Sequence, residues 1–112
     1  MSEVINFNYE GNEIPFRIDE NREVFMNATE MAKPFSGKKI SNFTRNKTVL
    51  EFVNALHEEK FKAPIRALTD SELVISKWGG GDQGTWFHED IALEFATWLN
   101  PKFKIWCNQR IK

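Results

Sequence analysis

Residues 79–87 read GGGDQGTWF, and four of the chain's six glycines fall in the first six of these positions. As a string, 79–84 satisfies G-x-G-x-x-G, the dinucleotide-binding fingerprint. Gly79 and Gly84 also have the outer spacing of a phosphate-binding P-loop. Both chemistries depend on what comes next, because a helix must open at the end of the glycines and hold the phosphate on its first N–H groups. Thr85-Trp86-Phe87 follows instead, a β-branched and aromatic run that favours strand. The next helix signal, Glu89-Asp90, comes about five residues too late for the fingerprint. Thr85 also stands where a P-loop needs its lysine. With Leu73-Val74-Ile75 ahead of the glycines, the stretch reads as a β-hairpin with a glycine-rich tip. Such a tip is an Ω-like wing able to lie along a DNA groove; a plain connecting loop remains the other reading of these residues alone.

Working upstream, Ile5, Phe7 and Tyr9 alternate with asparagines, and Ile14, Phe16 and Ile18 alternate with Pro15 and Arg17. That period of two predicts a hairpin with one buried face, turning at Gly11-Asn12. Pro15 places the second strand at an edge or turns its missing N–H outward. Val24-Phe25-Met26 adds a third strand. Asn27, followed three residues on by Glu30, is a helix start, and Pro34 keeps that helix short. In KKISNFTRNK, residues 38–47, Ile40 and Phe43 lie three apart and leave Lys39, Asn42, Arg45 and Asn46 outward. Thr48 and Glu51 predict a second capping box. Val49, Phe52, Val53 and Leu56 then follow the helical period to about Lys60.

Downstream of the glycines, Ile91, Phe95, Trp98 and Leu99 form the apolar stripe of a helix opened by Glu89 and Asp90. Asn100-Pro101 ends it and caps another helix carrying Phe103 and Trp106 inward. The spacing of Trp86, Phe87 and this stripe favours core packing over a stacking platform for single strands.

The charge pattern separates function classes. The 112 residues carry a net charge of −1, but residues 31–50 hold Lys33, Lys38, Lys39, Arg45 and Lys47 and no acid. A neutral average conceals a basic island, and local sign steers a polyanion. The single cysteine, Cys107, excludes an internal disulfide and a four-cysteine zinc site, and it fits a reducing compartment. No apolar run approaches the ~20 residues that span a bilayer, and the acidic, alternating N-terminus is not a signal peptide. His88-Glu89-Asp90 and His57-Glu58-Glu59 invite a metal or acid–base reading. The first sits at a helix start, where acids complement the positive end, and the second reads as the solvent side of a helix end. Neither has a third partner at ligand spacing, so no enzyme activity, metal or cofactor is expected.

Three stretches together carry a family resemblance: NATEMAK at 27–33, KKISNFTRNKTVLEFV at 38–53 and GGGDQGTWFHEDIALEFATWLNPKF at 79–103. In order and spacing they resemble the KilA-N domain of phages, prophages and large DNA viruses, over essentially the whole chain. The run from Gln83 to Leu99 is the specific part. The fungal APSES DNA-binding domain is more distantly similar, sharing the N-A-T start and the Q-G-T-W ending.

The resemblance implies an α+β, winged-helix-like fold. Its parts are an N-terminal β-hairpin or meander, helix-turn-helix-type helices, a glycine-rich hairpin wing and two C-terminal helices. It implies binding of double-stranded DNA, with helix 38–47 in or beside the major groove and the 79–84 wing alongside. Lys38, Lys39, Arg45 and Lys47 would meet phosphates; Asn42 and Arg45 would reach base edges; Asn46, and Gly80 and Gln83 on the wing, complete the expected set. Asp82 at the wing tip, where the APSES pattern is basic, weakens the case for a strong wing–phosphate contact. The chain is further expected to be the N-terminal domain of a longer phage or prophage protein acting in the host cytoplasm at the nucleoid. A C-terminal domain or a regulatory protein of phage or host would be its partner. The neutral charge and acidic tip leave a second reading, an antirepressor-like protein-interaction module with little DNA affinity.

Overall fold

The computed structural model describes residues 3–65, 71–76 and 84–111. It is α+β. Strands β1 (Glu3–Tyr9), β2 (Asn12–Ile18) and β3 (Val24–Asn27) are followed by helices α1 (Ala28–Ala32), α2 (Ile40–Thr44) and α3 (Lys47–Phe61). Then come β4 (Val74–Ile75), β5 (Trp86–His88), α4 (Glu89–Leu99) and α5 (Pro101–Ile111). The described strands form one antiparallel sheet in the order β1-β2-β3-β5-β4.

The N-terminal hairpin forms as its alternation predicts, with Ile5 opposite Phe16 and Phe7 opposite Ile14. Its turn residues are Glu10 and Gly11, with φ 49° and 86°, one position earlier than expected. Two successive positive φ values make a type I′ turn, whose twist matches that of the paired strands. β2 is not an edge strand, because β3 covers its other side. The β2–β3 register begins at Phe16, one residue past Pro15, so the proline marks where that ladder stops.

The sheet face bearing Ile14, Phe16, Met26 and Phe87 is packed under α4 and α5, and all four side chains are buried. Phe103 and Trp106 of α5 close over Phe7, Tyr9 and Phe16 of the hairpin, with ring centroids 4.7–6.5 Å apart. Trp86, Phe87, Ile91, Phe95 and Leu99 are buried, so they are core rather than a stacking platform, and Trp98 is half-buried against them. Cys107 is buried in the same core, and burial pushes its thiol up to about 12. At that value it is an inert packing residue.

Three helix expectations need correction. The basic stretch is not one helix over 38–47: only Ile40–Thr44 is helical, with Lys39 as N-cap and Arg45 as C-cap. The cap of α3 is Asn46, whose Oδ1 accepts from Thr48 N at 2.9 Å and Val49 N at 3.2 Å, so the proposed box at Thr48 is displaced by a better-placed side chain. On α3, Phe52 is 37% exposed, while His57, expected in solvent, is 8% exposed. His57 Nδ1 donates to Ala63 O at 2.8 Å and its ring packs on Phe61, which closes the turn after the helix.

β3 and β5 pair because two distant segments meet at their ends. Ala28 N donates to Thr85 O at 2.7 Å, and Thr85 N donates to Thr29 Oγ1 at 3.1 Å. Gly84 lies against this junction with φ +99°. A Cβ there would fall 2.8 Å from Thr29 Oγ1 and 3.1 Å from Asn27 Oδ1. Gly84→Ala therefore forces both a disfavoured backbone angle and a steric overlap, and is expected to destabilise the fold by about 2–4 kcal/mol. Urea denaturation checks this. A loss below about 0.5 kcal/mol, the size of a neutral surface change, would mean the junction is not rigid.

Candidate nucleic-acid interface

A five-residue helix has no stability of its own. α2 is held by one side chain, Phe43, which is fully buried with ring centroids 4.8 Å from Phe95, 5.7 Å from Trp98 and 5.8 Å from Phe87. Ile40, one turn earlier, is half-buried in the same place. With that side pinned, the intervening positions of the helix point to solvent.

Lys39, Asn42 and Arg45 are all exposed. Asn42 and Arg45, three apart, lie on one outward face. Lys38, in the turn before α2, places its ammonium 4.8 Å from the centre of the Trp98 ring. That contact restrains a flexible lysine without neutralising it. Lys47 is the first residue of α3 and is exposed. Asn46 lies between them, but its Oδ1 is committed to the α3 backbone, which leaves only its amide NH₂ free to turn outward. Gly80 and Gln83 lie outside the described residues, as does Asp82 in the glycine-rich stretch expected to form a wing. The strands that flank it do pair, with Val74 opposite Phe87 and Ile75 opposite Trp86.

The electrostatics of this segment are one-sided. Lys33 is paired with Glu30 and is spoken for. Among the described residues, Lys39, Arg45 and Lys47 have no carboxylate within ion-pair distance. α1 and α4 carry acids in their first turns, whereas α2 and α3 carry none. The positive end of α3 is thus reinforced by Lys47 instead of balanced. The Lys38–Trp98 contact was out of reach of sequence reasoning, because Trp98 reads as one more residue of a helical stripe and its neighbour is 60 positions upstream.

The histidine at 88 lies in a different kind of site. It ends β5, caps α4 and is 5% exposed. Its Nδ1 accepts from Asp90 N at 3.4 Å, so the ring proton sits on Nε2, which donates to Glu23 Oε2 at 2.7 Å. Lys60 of α3 pairs with the other oxygen of Glu23. The hydrogen bond from Lys60, and then that from His88, hold the Glu23 carboxyl below its usual range. Burial raises Glu89 beside them. A cavity of about 150 Å³ opens here between Asp19, Glu23, Lys60, Glu72 and His88. Its central charges are already paired with one another, and ligand pockets are typically larger, roughly 300–1,000 Å³. Among the described residues no group of three or more His, Cys, Asp or Glu side chains is arranged to hold a metal. The triad instead clamps α3 and the start of α4 to the β2–β3 connection.

A KilA-N domain model matches residues 7–112, essentially the whole chain. The chain belongs to the KilA-N domain family. This is a DNA-binding family. Neither a curated protein nor a solved structure matches the chain. No helix among the described residues is long and apolar enough to cross a membrane.

The Glu23 clamp has a pH signature. A carboxyl whose folded pKa is depressed contributes stability that is present above its unfolded value, 4.5, and is lost as pH falls through the lower folded value. Wild type should therefore exceed Glu23→Gln in stability at pH 7, and the gap should close on acidification below 4.5. Thermal melts of both proteins from pH 7 to pH 3 measure it, and a constant gap would show that Glu23 does not act through its charge.

Proposed function

We propose that the protein binds duplex DNA through α2 and the turns on either side of it. Lys38, Lys39, Arg45 and Lys47 neutralise phosphates, and Asn42 with Arg45 faces base edges in the major groove. The observation that carries this reading is the exposed, acid-free segment 38–47, pinned outward by Phe43. Phosphate binding draws its affinity from released counterions, and this segment supplies the cations for it. Asn46 contributes through its amide alone. The wing at 79–84, with Gly80 and Gln83, lies along a neighbouring groove or backbone, and Asp82 limits its grip. No chemistry is assigned to the domain.

In its wider setting, the domain serves as the N-terminal module of a longer phage or prophage protein in the bacterial cytoplasm. The antirepressor-like reading, a protein-binding module with little DNA affinity, rests on the net charge of −1. The segregation of charge into one exposed segment favours DNA over it.

Lys39→Glu combined with Arg45→Glu should abolish the electrophoretic shift of random duplex at low salt while leaving the melting temperature unchanged. Wild-type affinity should fall with salt by ~0.9 log units per decade for each phosphate neutralised. A salt-independent affinity, or a folded double variant that still binds, would sink the assignment.

Lys47→Glu separates binding from stability. An acid in the first turn of α3 favours the helix by about 0.3–1 kcal/mol, yet it reverses a charge at the DNA surface. A higher melting temperature together with weaker duplex binding is the expected pair of outcomes. Unchanged affinity would remove Lys47 from the surface.

A further inference from the structure

The sheet ends on β1, and the register shows what its open side presents. Tyr9 and Asn12 flank the two-residue turn at Glu10-Gly11, so they form a hydrogen-bonded pair. Hydrogen-bonded and non-hydrogen-bonded pairs alternate along an antiparallel ladder. Phe7, Ile5 and Glu3 therefore turn their N–H and C=O groups toward β2. Val4, Asn6 and Asn8 turn theirs out of the sheet. Pro15 agrees with this parity: it stands opposite Asn6, a site where the β1–β2 ladder asks for no N–H.

Natural edge strands are protected by lysine, proline, a bulge or shortness. β1 has seven residues, no lysine or proline, and an unbroken register with β2. Among the described residues four large hydrophobic side chains are notably exposed, and two of them lie on β1, Val4 at 41% and Ile5 at 38%, on opposite faces of the strand.

We propose that a second copy of this chain occupies the edge, with the two β1 strands antiparallel about a twofold axis at Asn6. In that register Asn6 meets Asn6, Val4 meets Asn8, Ile5 meets Phe7 and Glu3 meets Tyr9. The three outward residues of each strand then exchange about six backbone hydrogen bonds. The exposed Ile5 gains an apolar neighbour on the helix-covered face. Charge selects this direction. A parallel pairing stacks Glu3 on Glu3. The antiparallel one carries each Glu3 to the face on which the other copy's Arg110 lies 6.0 Å over Phe7. β1 is the edge of the sheet opposite β4, so the pairing does not involve β4 or its neighbour β5, the strands that flank the glycine-rich stretch. A twofold dimer of a DNA-binding domain matches an inverted-repeat site, but the pairing itself does not depend on the DNA reading.

A twofold axis through Asn6 puts that residue against itself, which gives a charge-swap test by sedimentation velocity on the 112-residue chain. Wild type should be dimeric. Asn6 is exposed, so Asn6→Lys and Asn6→Glu should both fold, as circular dichroism can verify. Each alone places like charges directly opposite across the axis and should raise the dimer dissociation constant at least about tenfold. An equimolar mixture of the two should recover the dimer. A wild type that stays monomeric up to about 1 mM, a dimer indifferent to both substitutions, or a mixture that fails to recover would each overturn the proposal. So would a wild type that forms open-ended polymers, since a twofold contact closes on itself.

Discussion

The meeting of Asn27–Thr29 with Gly84–Trp86 is the contact on which the remaining architecture depends. It joins Ala28 to Thr85 by a backbone hydrogen bond and Thr85 to the Thr29 hydroxyl 56 positions away, so it closes about half of the chain into a loop. The entropy of that closure must be repaid by what the junction then positions. It sets β5 beside β3, which puts Phe87 next to Met26 under α4. It starts α1 from the last residue of β3, while α4 starts from the last residue of β5, His88, which lies opposite Phe25 at the other end of the β3–β5 pairing. The approach is too close for any side chain at 84, which is why the last glycine of the GGGDQG stretch has a structural role whatever the tip does.

From that junction the aromatic core extends to the surface segment. Phe87, Phe95 and Trp98 form the pocket that receives Phe43. Removing a fully buried phenylalanine costs about 3–5 kcal/mol, far more than a five-residue helix could recover locally. The position of Arg45 and Asn42 in space is thus set by side chains from β5 and α4, not by α2 itself. Trp98 acts at both levels, packing on Phe43 with one part of its ring system and meeting the Lys38 ammonium on its partly exposed side.

Much of the fold was readable in the chain, for definite reasons. The hairpin, β3, α1, α4 and α5 each rest on local signals that tertiary contacts do not oppose: alternation about Gly11, Asn27 before Glu30, and Asn100 before Pro101. The errors arose where two local signals competed. Asn46 and Thr48 are both good caps, and the sequence alone does not say which lies at the end of the helix. The basic run 38–47 has helical spacing only around Ile40 and Phe43, because Lys39 and Arg45 adopt the flanking conformations. His57 was misplaced because a carbonyl six residues on, Ala63 O, draws it inward. Of the expected DNA contacts, exposure could be read for Lys38, Lys39, Asn42, Arg45 and Lys47. The commitment of Asn46 to α3, the Trp98 rest for Lys38 and the Glu23–Lys60–His88 clamp are products of folding.

A chain of net charge −1 can still present a cationic surface to a polyanion if acids and cations are treated differently by the fold. Here they are. Glu30, the acid nearest the basic segment upstream, is paired with Lys33, and Glu23 is held between Lys60 and His88. Two of the three acids of α4, Glu89 and Asp90, stand at its N-terminus, where the helix dipole partly offsets them. The cations of 38–47 have no such partners among the described residues, and α3 adds the positive end of its dipole beside Lys47. At physiological ionic strength a phosphate senses charge over ~8 Å. The charges nearest α2 in sequence are lysine and arginine. The net charge therefore reports on solubility, and the arrangement of charge decides the partner.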